Sequence, residues 1–354
     1  MPESGLFVTL FDEETLALYL DRGVYGSHMS PEQVVSPYSR HYQTLADYSC
    51  ARDGTHVFFF LRRHIVYAGQ VDGSSEVGAF FLNGPNSPLG SKANAPLVWD
   101  ESNRGAYRPG NVPGVFTRPR LSGVSADKPV CQPYLLRFSD RIGLKGKAIM
   151  SDQLYLELGD FPYPLPTNSI SGMSFCTMAL AEVRIALKLL QHDPVKTFRA
   201  VSSETTTFSG EPLSFSADHG IAHLADAQSE AHLEASILAN PHLLPRQIRP
   251  DHATLCRQVP ICPFKPPDDM DRADICFYNE ESIAEGSVPN TIVELKNERA
   301  GNAVSEQAVR YATWLRRRLG DQSASIRLYV LAPSFVHNWT IPREFRGQIS
   351  NLTF

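Results

Sequence analysis

The sequence predicts an α+β chain in two parts. A mostly β front spans residues 1–175, a helix and linker span 176–220, and an α/β core spans 221–354. Three observations predict it. In the front, short β-prone runs recur with Gly and Pro between them. In the rear, helical and strand patterns follow the order α-β-β-β-α-β. With 354 residues, 42% of them apolar and 20% charged, the chain is long enough for about two domains of ordinary size.

The front opens with a short strand, Leu6-Phe-Val-Thr-Leu-Phe11, and a helix from about Glu13 that carries Leu16, Leu18, Tyr19 and Leu20. Residues 21–52 read as irregular, because Gly23, Gly26 and Pro31 interrupt them. The runs 53–62 and 63–71, rich in Val, Phe, Ile and Tyr, form a hairpin-like pair of strands. Further strand-like runs fall at 79–82, 96–99, 134–138 and 154–158, a rhythm that suits a small, partly open barrel. Alternate prolines at 162, 164 and 166 rule out a helix there and mark the approach to the end of the front part. Residues 177–192 form an amphipathic helix, and the Ser/Thr-rich residues 200–220 read as a linker.

In the rear, residues 229–240 form a helix with Leu233, Ile237 and Leu238 on one face, ended by Pro241. Glu230 and Glu234 stand four apart and share another face. Residues 273–279 read as a strand with Asp274 at its start, and Thr291-Ile-Val-Glu-Leu-Lys-Asn297 as the next. Side chains alternate along a strand, so Ile292, Glu294 and Lys296 share one face and Val293 and Leu295 the other. This sets a carboxylate beside an ammonium. A Glu-x-Lys strand is most often a solvated ion pair. With Asp274 upstream, the same residues can grip Mg²⁺, which takes oxygen ligands, and Lys296 can serve an attacking water. The helix 303–318 carries Val304, Ala308, Tyr311 and Leu315 in a stripe flanked by Gln307 and Arg310, and 325–332 is a last buried strand.

The net charge of −5 is not that of an obvious nucleic-acid binder, but basic residues gather in 100–150 and 301–354 and acidic ones in 200–300. An acidic centre between basic segments suits a protein that grips phosphates away from a metal site. The cysteines at 50, 131, 176, 256, 262 and 276 include no Cys-x-x-Cys pair, which argues against a zinc ribbon. No apolar run is long enough to span a membrane, and the start Met-Pro-Glu-Ser-Gly-Leu lacks the features of a signal peptide. A cytoplasmic protein with reduced thiols is expected.

Two resemblances sharpen these readings. Asp274-x19-Glu294-x-Lys296 resembles the PD-(D/E)xK nucleases, with Ala273 in place of Pro, a change that superfamily commonly tolerates. The ordered segments Glu-Ala-His-Leu-Glu, Asn-Pro-His-Leu-Leu, Arg-Gln-Val-Pro, Ala-Asp-Ile, Ile-Val-Glu-Leu-Lys and Gln-Ala-Val-Arg-Tyr are similar to the catalytic domain of NucS/EndoMS-type endonucleases over about residues 226–335. That resemblance implies a restriction-endonuclease-like core and a Mg²⁺- or Mn²⁺-dependent endonuclease. It implies that Asp274, Glu294, the carbonyl of Leu295 and a carboxylate from Glu230 hold the metal, with Glu234 the rival for Glu230. Lys296 would serve the water and Gln307 would contact metal-bound water or phosphate. The family's own DNA-binding domain is not evident, so mismatch specificity does not follow.

In the front, Gly54 followed by Val57-Phe-Phe-Phe60 and then Ile65-Val-Tyr-Ala-Gly69 resembles PUA-like domains of the EVE and YTH kind over residues 5–170. That resemblance implies nucleic-acid recognition, with Trp99, Tyr107, Tyr67 and Phe81 as candidate rings for a modified base. Arg310 is a further candidate for touching nucleic acid. The expected partner is DNA, with RNA as an alternative, and the expected role is restriction or phage defence. A nucleic-acid-binding protein with an inactive nuclease fold is the competing expectation. One active site cuts one strand, so cutting both would call for a homodimer.

Overall fold

The structure, a computed structural model, describes residues 5–10, 13–27, 40–61, 64–73, 80–82, 97–100, 106–109, 134–139, 149–150, 175–178, 180–191, 221–249, 253–262, 271–279 and 288–354. It is α+β, built on two mixed sheets.

The front sheet runs in the order β10-β1-β3-β4-β8-β2, with β5 added to β8 and β9 to β4. Its strands are β1 (Gly5–Leu10), β2 (Val24–Gly26), β3 (His56–Leu61), β4 (His64–Val71), β5 (Phe80–Leu82), β8 (Tyr134–Ser139), β9 (Ile149–Met150) and β10 (Phe175–Met178). β1 lies parallel to β3, and β3 and β4 form the expected hairpin with a bulge between Phe59 and Phe60. Among the described residues this path does not close on itself, so no closed barrel forms. The reason lies in Val57-Phe-Phe-Phe60. Phe59 packs with Tyr19, Tyr25, Tyr67 and Phe138 on one face, whereas Phe58 and Phe60 pack with Phe7, Val183, Ala186 and Leu187 on the other. An unbroken apolar run fills both faces of a covered strand. The covers are α1 (Glu13–Arg22) with α2 (Arg40–Ser49) on one side and α3 (Leu180–Gln191) on the other. α3 lies so close on β1 that a Cβ at Gly5 would come within 2.6 Å of Val183 Cγ2.

α2 corrects the irregular reading of 21–52. Gly23, Gly26 and Pro31 all lie before the helix, as does Pro37, and beyond them Tyr42, Leu45, Ala46 and Ser49 recur at helical spacing and are buried together with Thr44, Asp47 and Tyr48. The helix expected at 177 begins at Leu180, because Phe175–Met178 pairs with β1 instead. β6 (Leu97–Asp100) and β7 (Ala106–Pro109) make a separate two-stranded sheet. The strand expected at 154–158 and the linker at 200–220 lie outside the described residues.

The rear sheet runs in the order β11-β12-β13-β14-β15. Its strands are β11 (Thr254–Cys262), β12 (Asp271–Tyr278), β13 (Thr291–Leu295), β14 (Arg327–Ala332) and β15 (Ile349–Thr353). The first three are antiparallel, and β13, β14 and β15 are parallel. α4 (Glu230–Ala239) precedes the sheet, and α5 (Asn302–Leu319) makes the crossover from β13 to β14. Every residue of β13 is buried. Val293 and Leu295 join the core of Leu233, Ile237 and Leu238 from α4, and Ile292 joins Val304, Ala308 and Tyr311 from α5.

The two sheets meet through β10 and β11. The Thr177 hydroxyl donates to the Arg257 carbonyl and accepts from the Arg257 amide, both at 2.9 Å. α2 packs on α4, with Tyr42 stacked on His232 at 4.3 Å between ring centres. One apolar cluster runs from Leu6 and Phe59 through α2 and α4 to Ile275 and Val293.

Candidate active site

Three adjacent elements bring the site together. Ser229 caps α4, its hydroxyl accepting from the His232 amide at 3.2 Å, and so fixes the first turn that carries Glu230. A carboxylate at a helix N-terminus is favoured by the helix dipole. β12 and β13 are paired so that Ile275 faces Val293, which sets Asp274 beside Glu294. Lys296 follows directly on the end of β13, its amide held by the Leu331 carbonyl at 2.9 Å.

The Lys296 ammonium is the hub. Its Nζ donates to Glu230 Oε2 at 3.0 Å, to Glu294 Oε1 at 3.2 Å and to the Leu295 carbonyl at 2.6 Å. Asp274 Oδ2 accepts from the Leu295 amide at 2.7 Å, and its Oδ1 accepts from Gln258 Nε2 at 3.0 Å. Tyr311 on α5 donates toward Glu294 Oε2 at 3.5 Å, and Gln307 Nε2 donates to the Tyr311 hydroxyl at 2.7 Å. Asp274 and Glu294 are buried, whereas the Glu230 side chain is 43% exposed and opens the cluster to solvent.

Electrostatics follow from three carboxylates around one ammonium. Burial pushes the Asp274 carboxyl well above the usual range, and the Glu294 charge adds to it. Burial brings Glu294 up to about 7, against the pull of Lys296. Burial alone would lower the Lys296 ammonium, but Asp274, Glu294 and Glu230 together raise it above its ordinary value. Lys296 is therefore a cation here, and its carboxylate neighbours lack enough positive charge between them.

A metal would find an all-oxygen donor set in Asp274, Glu294, Glu230 and the Leu295 carbonyl, which suits a hard divalent ion. As they stand, no three His, Cys, Asp or Glu side chains among the described residues converge closely enough to hold a metal. The ammonium lies between the oxygens instead.

Of the residues expected from the sequence, Asp274, Glu294, Leu295, Lys296 and Glu230 meet in one network. Gln307 reaches it through Tyr311. Glu234 makes no contact with Lys296 but grips Arg257 in a fork, with Nε to Oε1 at 3.0 Å and Nη2 to Oε2 at 2.8 Å, and reaches Asp274 only through Gln258. Tyr67 is 3% exposed and packed between Phe59 and Phe138, so it fills the front core and is not a ring on its surface. Trp99 and Tyr107 are register partners across β6 and β7, and Phe81 lies on β5. The side chains of those three lie outside the described residues. Arg310 is paired with Asp271, Nε to Oδ2 at 2.8 Å.

Three members went unread in the sequence. Tyr311 falls in the apolar stripe of α5, yet it stands one turn after Gln307, the spacing at which two polar side chains on a helix meet. Gln258 and Arg257 appeared only as part of Arg-Gln-Val-Pro, with nothing local to connect them to residues on other elements.

No protein-family model matches the chain, and no curated protein matches it. Among solved structures, a repair endonuclease from Pyrococcus abyssi is similar over 36% of this chain and 47% of its own, at 18% identity and a TM-score of 0.26. An EndoMS–dsDNA2 complex is similar over 35% of this chain and 44% of its own, at 19% identity and a TM-score of 0.23. The chain thus spans less than half the length of either. Likeness at that level assigns no residue role and no activity to this chain.

Proposed function

We propose that the chain is a metal-dependent DNA endonuclease whose front part selects the target, acting in the cytoplasm in restriction or phage defence. The observation that carries this reading is the gathering of Asp274, Glu294, Glu230 and the Leu295 carbonyl about the Lys296 ammonium at the end of β13. An ordinary surface ion pair needs one carboxylate. Three, two of them buried, form a site that lacks positive charge and has one open side.

In this reading Asp274, Glu294, Glu230 and Leu295 hold Mg²⁺ or Mn²⁺. When bound, the ion supplies a Lewis acid for the phosphoryl oxygen and lowers the pKa of a bound water. Lys296, released from Glu230, turns to the attacking water and offsets negative charge on the phosphate. Tyr311 holds Glu294 in place, and Gln307 fixes the Tyr311 hydroxyl. The same site opens one strand at a time, so cutting of both strands requires a second copy.

The test is cleavage of plain and base-modified plasmid DNA with Mg²⁺ or Mn²⁺, with an RNA of matched length beside it. Wild-type protein is expected to nick or cut DNA, and Lys296→Ala to reduce the rate by roughly 10²–10⁴-fold. Equal rates in the two proteins, or no metal-dependent cleavage of any substrate, would contradict the reading.

A further inference from the structure

Among the described residues Gln258 is the one non-glycine residue with positive φ, at +50°. It lies on β11, where Arg257 pairs with Ile275 and Val259 with Ala273, so its place in the register is opposite Asp274. In a regular strand neighbouring side chains point to opposite faces. Here Arg257 and Gln258 nevertheless both reach Glu234, and the left-handed backbone at Gln258 is the local departure that permits it. L-residues other than Gly, Asn and Asp adopt this conformation at a cost, so the surroundings must hold it.

What it accomplishes is specific. Gln258 Nε2 donates to Glu234 Oε1 at 3.2 Å and to Asp274 Oδ1 at 3.0 Å. Glu234 is itself fixed by the Arg257 fork, and Arg257 is fixed by Asp47 of α2. All three charged groups are buried, so none is free to swing. With Oδ1 held by Gln258 and Oδ2 by the Leu295 amide, the Asp274 carboxylate has its rotation set from both sides.

We infer that Gln258 is a positioning residue that orients the metal-binding carboxylate of Asp274, anchored to the front part of the molecule through Glu234, Arg257 and Asp47. This rests on the proposed metal site. Partners that orient metal ligands are worth about 10–100-fold in metal affinity when removed. A backbone already left-handed makes it possible to separate orientation from folding. Gly adopts φ of +50° freely, so Gln258→Gly removes the side chain while relieving the backbone.

The experiment is Mn²⁺ binding by titration calorimetry, without nucleic acid, on wild type, Asp274→Asn, Gln258→Gly and Gln258→Asn, with the Tm of each. Asn also tolerates the left-handed region but stops one methylene short. The expected result is Mn²⁺ affinity about 10–100-fold weaker in both Gln258 variants, with the Tm of Gln258→Gly at or above wild type. Wild-type affinity in the Gln258 variants beside loss in Asp274→Asn would overturn the positioning role alone. Weakened affinity matched by a fall in Tm in both variants would overturn it too, as a mere folding effect. No Mn²⁺ binding by wild type would overturn both this role and the metal site beneath it.

Discussion

Glu230 and Glu234 stand one turn apart on α4 and end in opposite circumstances. Glu230 is half-exposed and meets Lys296, which it shares with Glu294 while Asp274 lies alongside. Glu234 is buried and bound by both arms of the Arg257 guanidinium, whose remaining nitrogen meets Asp47. The second cluster is closed: all three nitrogens of the Arg257 guanidinium are engaged, and it joins α2 of the front to α4 and β11 of the rear. Charges pull the Arg257 guanidinium above its ordinary value even though burial opposes this. The first cluster is open and short of positive charge. The difference teaches how one helix can carry both a fixed strut and a site. Both clusters hold more carboxylates than cations, and burial raises Asp47 to about 7 as it raises Glu294. What separates them is access, absent at Asp47 and Glu234 and present at Glu230.

The largest expected effect comes from breaking the closed cluster. Arg257→Ala leaves Asp47 and Glu234 buried without their cation, which should cost about 3–5 kcal/mol in urea-induced unfolding. A loss below about 1 kcal/mol, the scale of an exposed pair, would mean that Asp47 and Glu234 are not closed off as described.

A smaller effect of opposite sign is expected in the open cluster. Glu294 has its carboxyl raised by burial to about 7 in the folded protein from an ordinary 4.5. A raised carboxyl means the folded state prefers the proton. The stability Glu294 contributes is then fully present below about 4.5 and is lost as pH rises through about 7. Glu294→Gln removes that dependence. In chelator, the variant should be more stable than wild type by about 1–2 kcal/mol above pH 7, with the gap closing toward pH 4.5. A gap that widens on acidification would reverse the assignment of Glu294 as a strained group.

The open cluster was far more legible in the sequence than the closed one, for a physical reason. Glu294 lies on β13 with Lys296 just beyond its end, and Asp274 lies on the strand paired with it, so local periodicity and strand pairing bring them together. Glu230 lies on a helix whose apolar stripe is plain. Arg257 and Asp47, by contrast, are 210 residues apart, and only the packing of α2 on α4 joins them. α2 is hard to read because Gly23, Gly26, Pro31 and Pro37 crowd the stretch before it and its buried positions include the polar Thr44 and Asp47. Gln258 had no local signature, since a left-handed residue in a strand is imposed by its partners and not by its own preference. In the front, Val57-Phe-Phe-Phe60 announced a strand but not its surroundings. An apolar run is equally compatible with a barrel and with a sheet covered on both faces, and the helices that decide between them come from elsewhere in the chain.

The central claim is that the Glu230–Lys296–Glu294–Asp274 cluster takes a divalent cation through Glu294. The most direct test is the Tm of wild type and Glu294→Gln with and without Mn²⁺ at neutral pH. An ion that binds only the folded state stabilises it by mass action, about 2.7 kcal/mol at a hundred times Kd. The account predicts a Tm that climbs with Mn²⁺ in wild type and stays flat in Glu294→Gln. An equal rise in both proteins, or none in wild type, would contradict it.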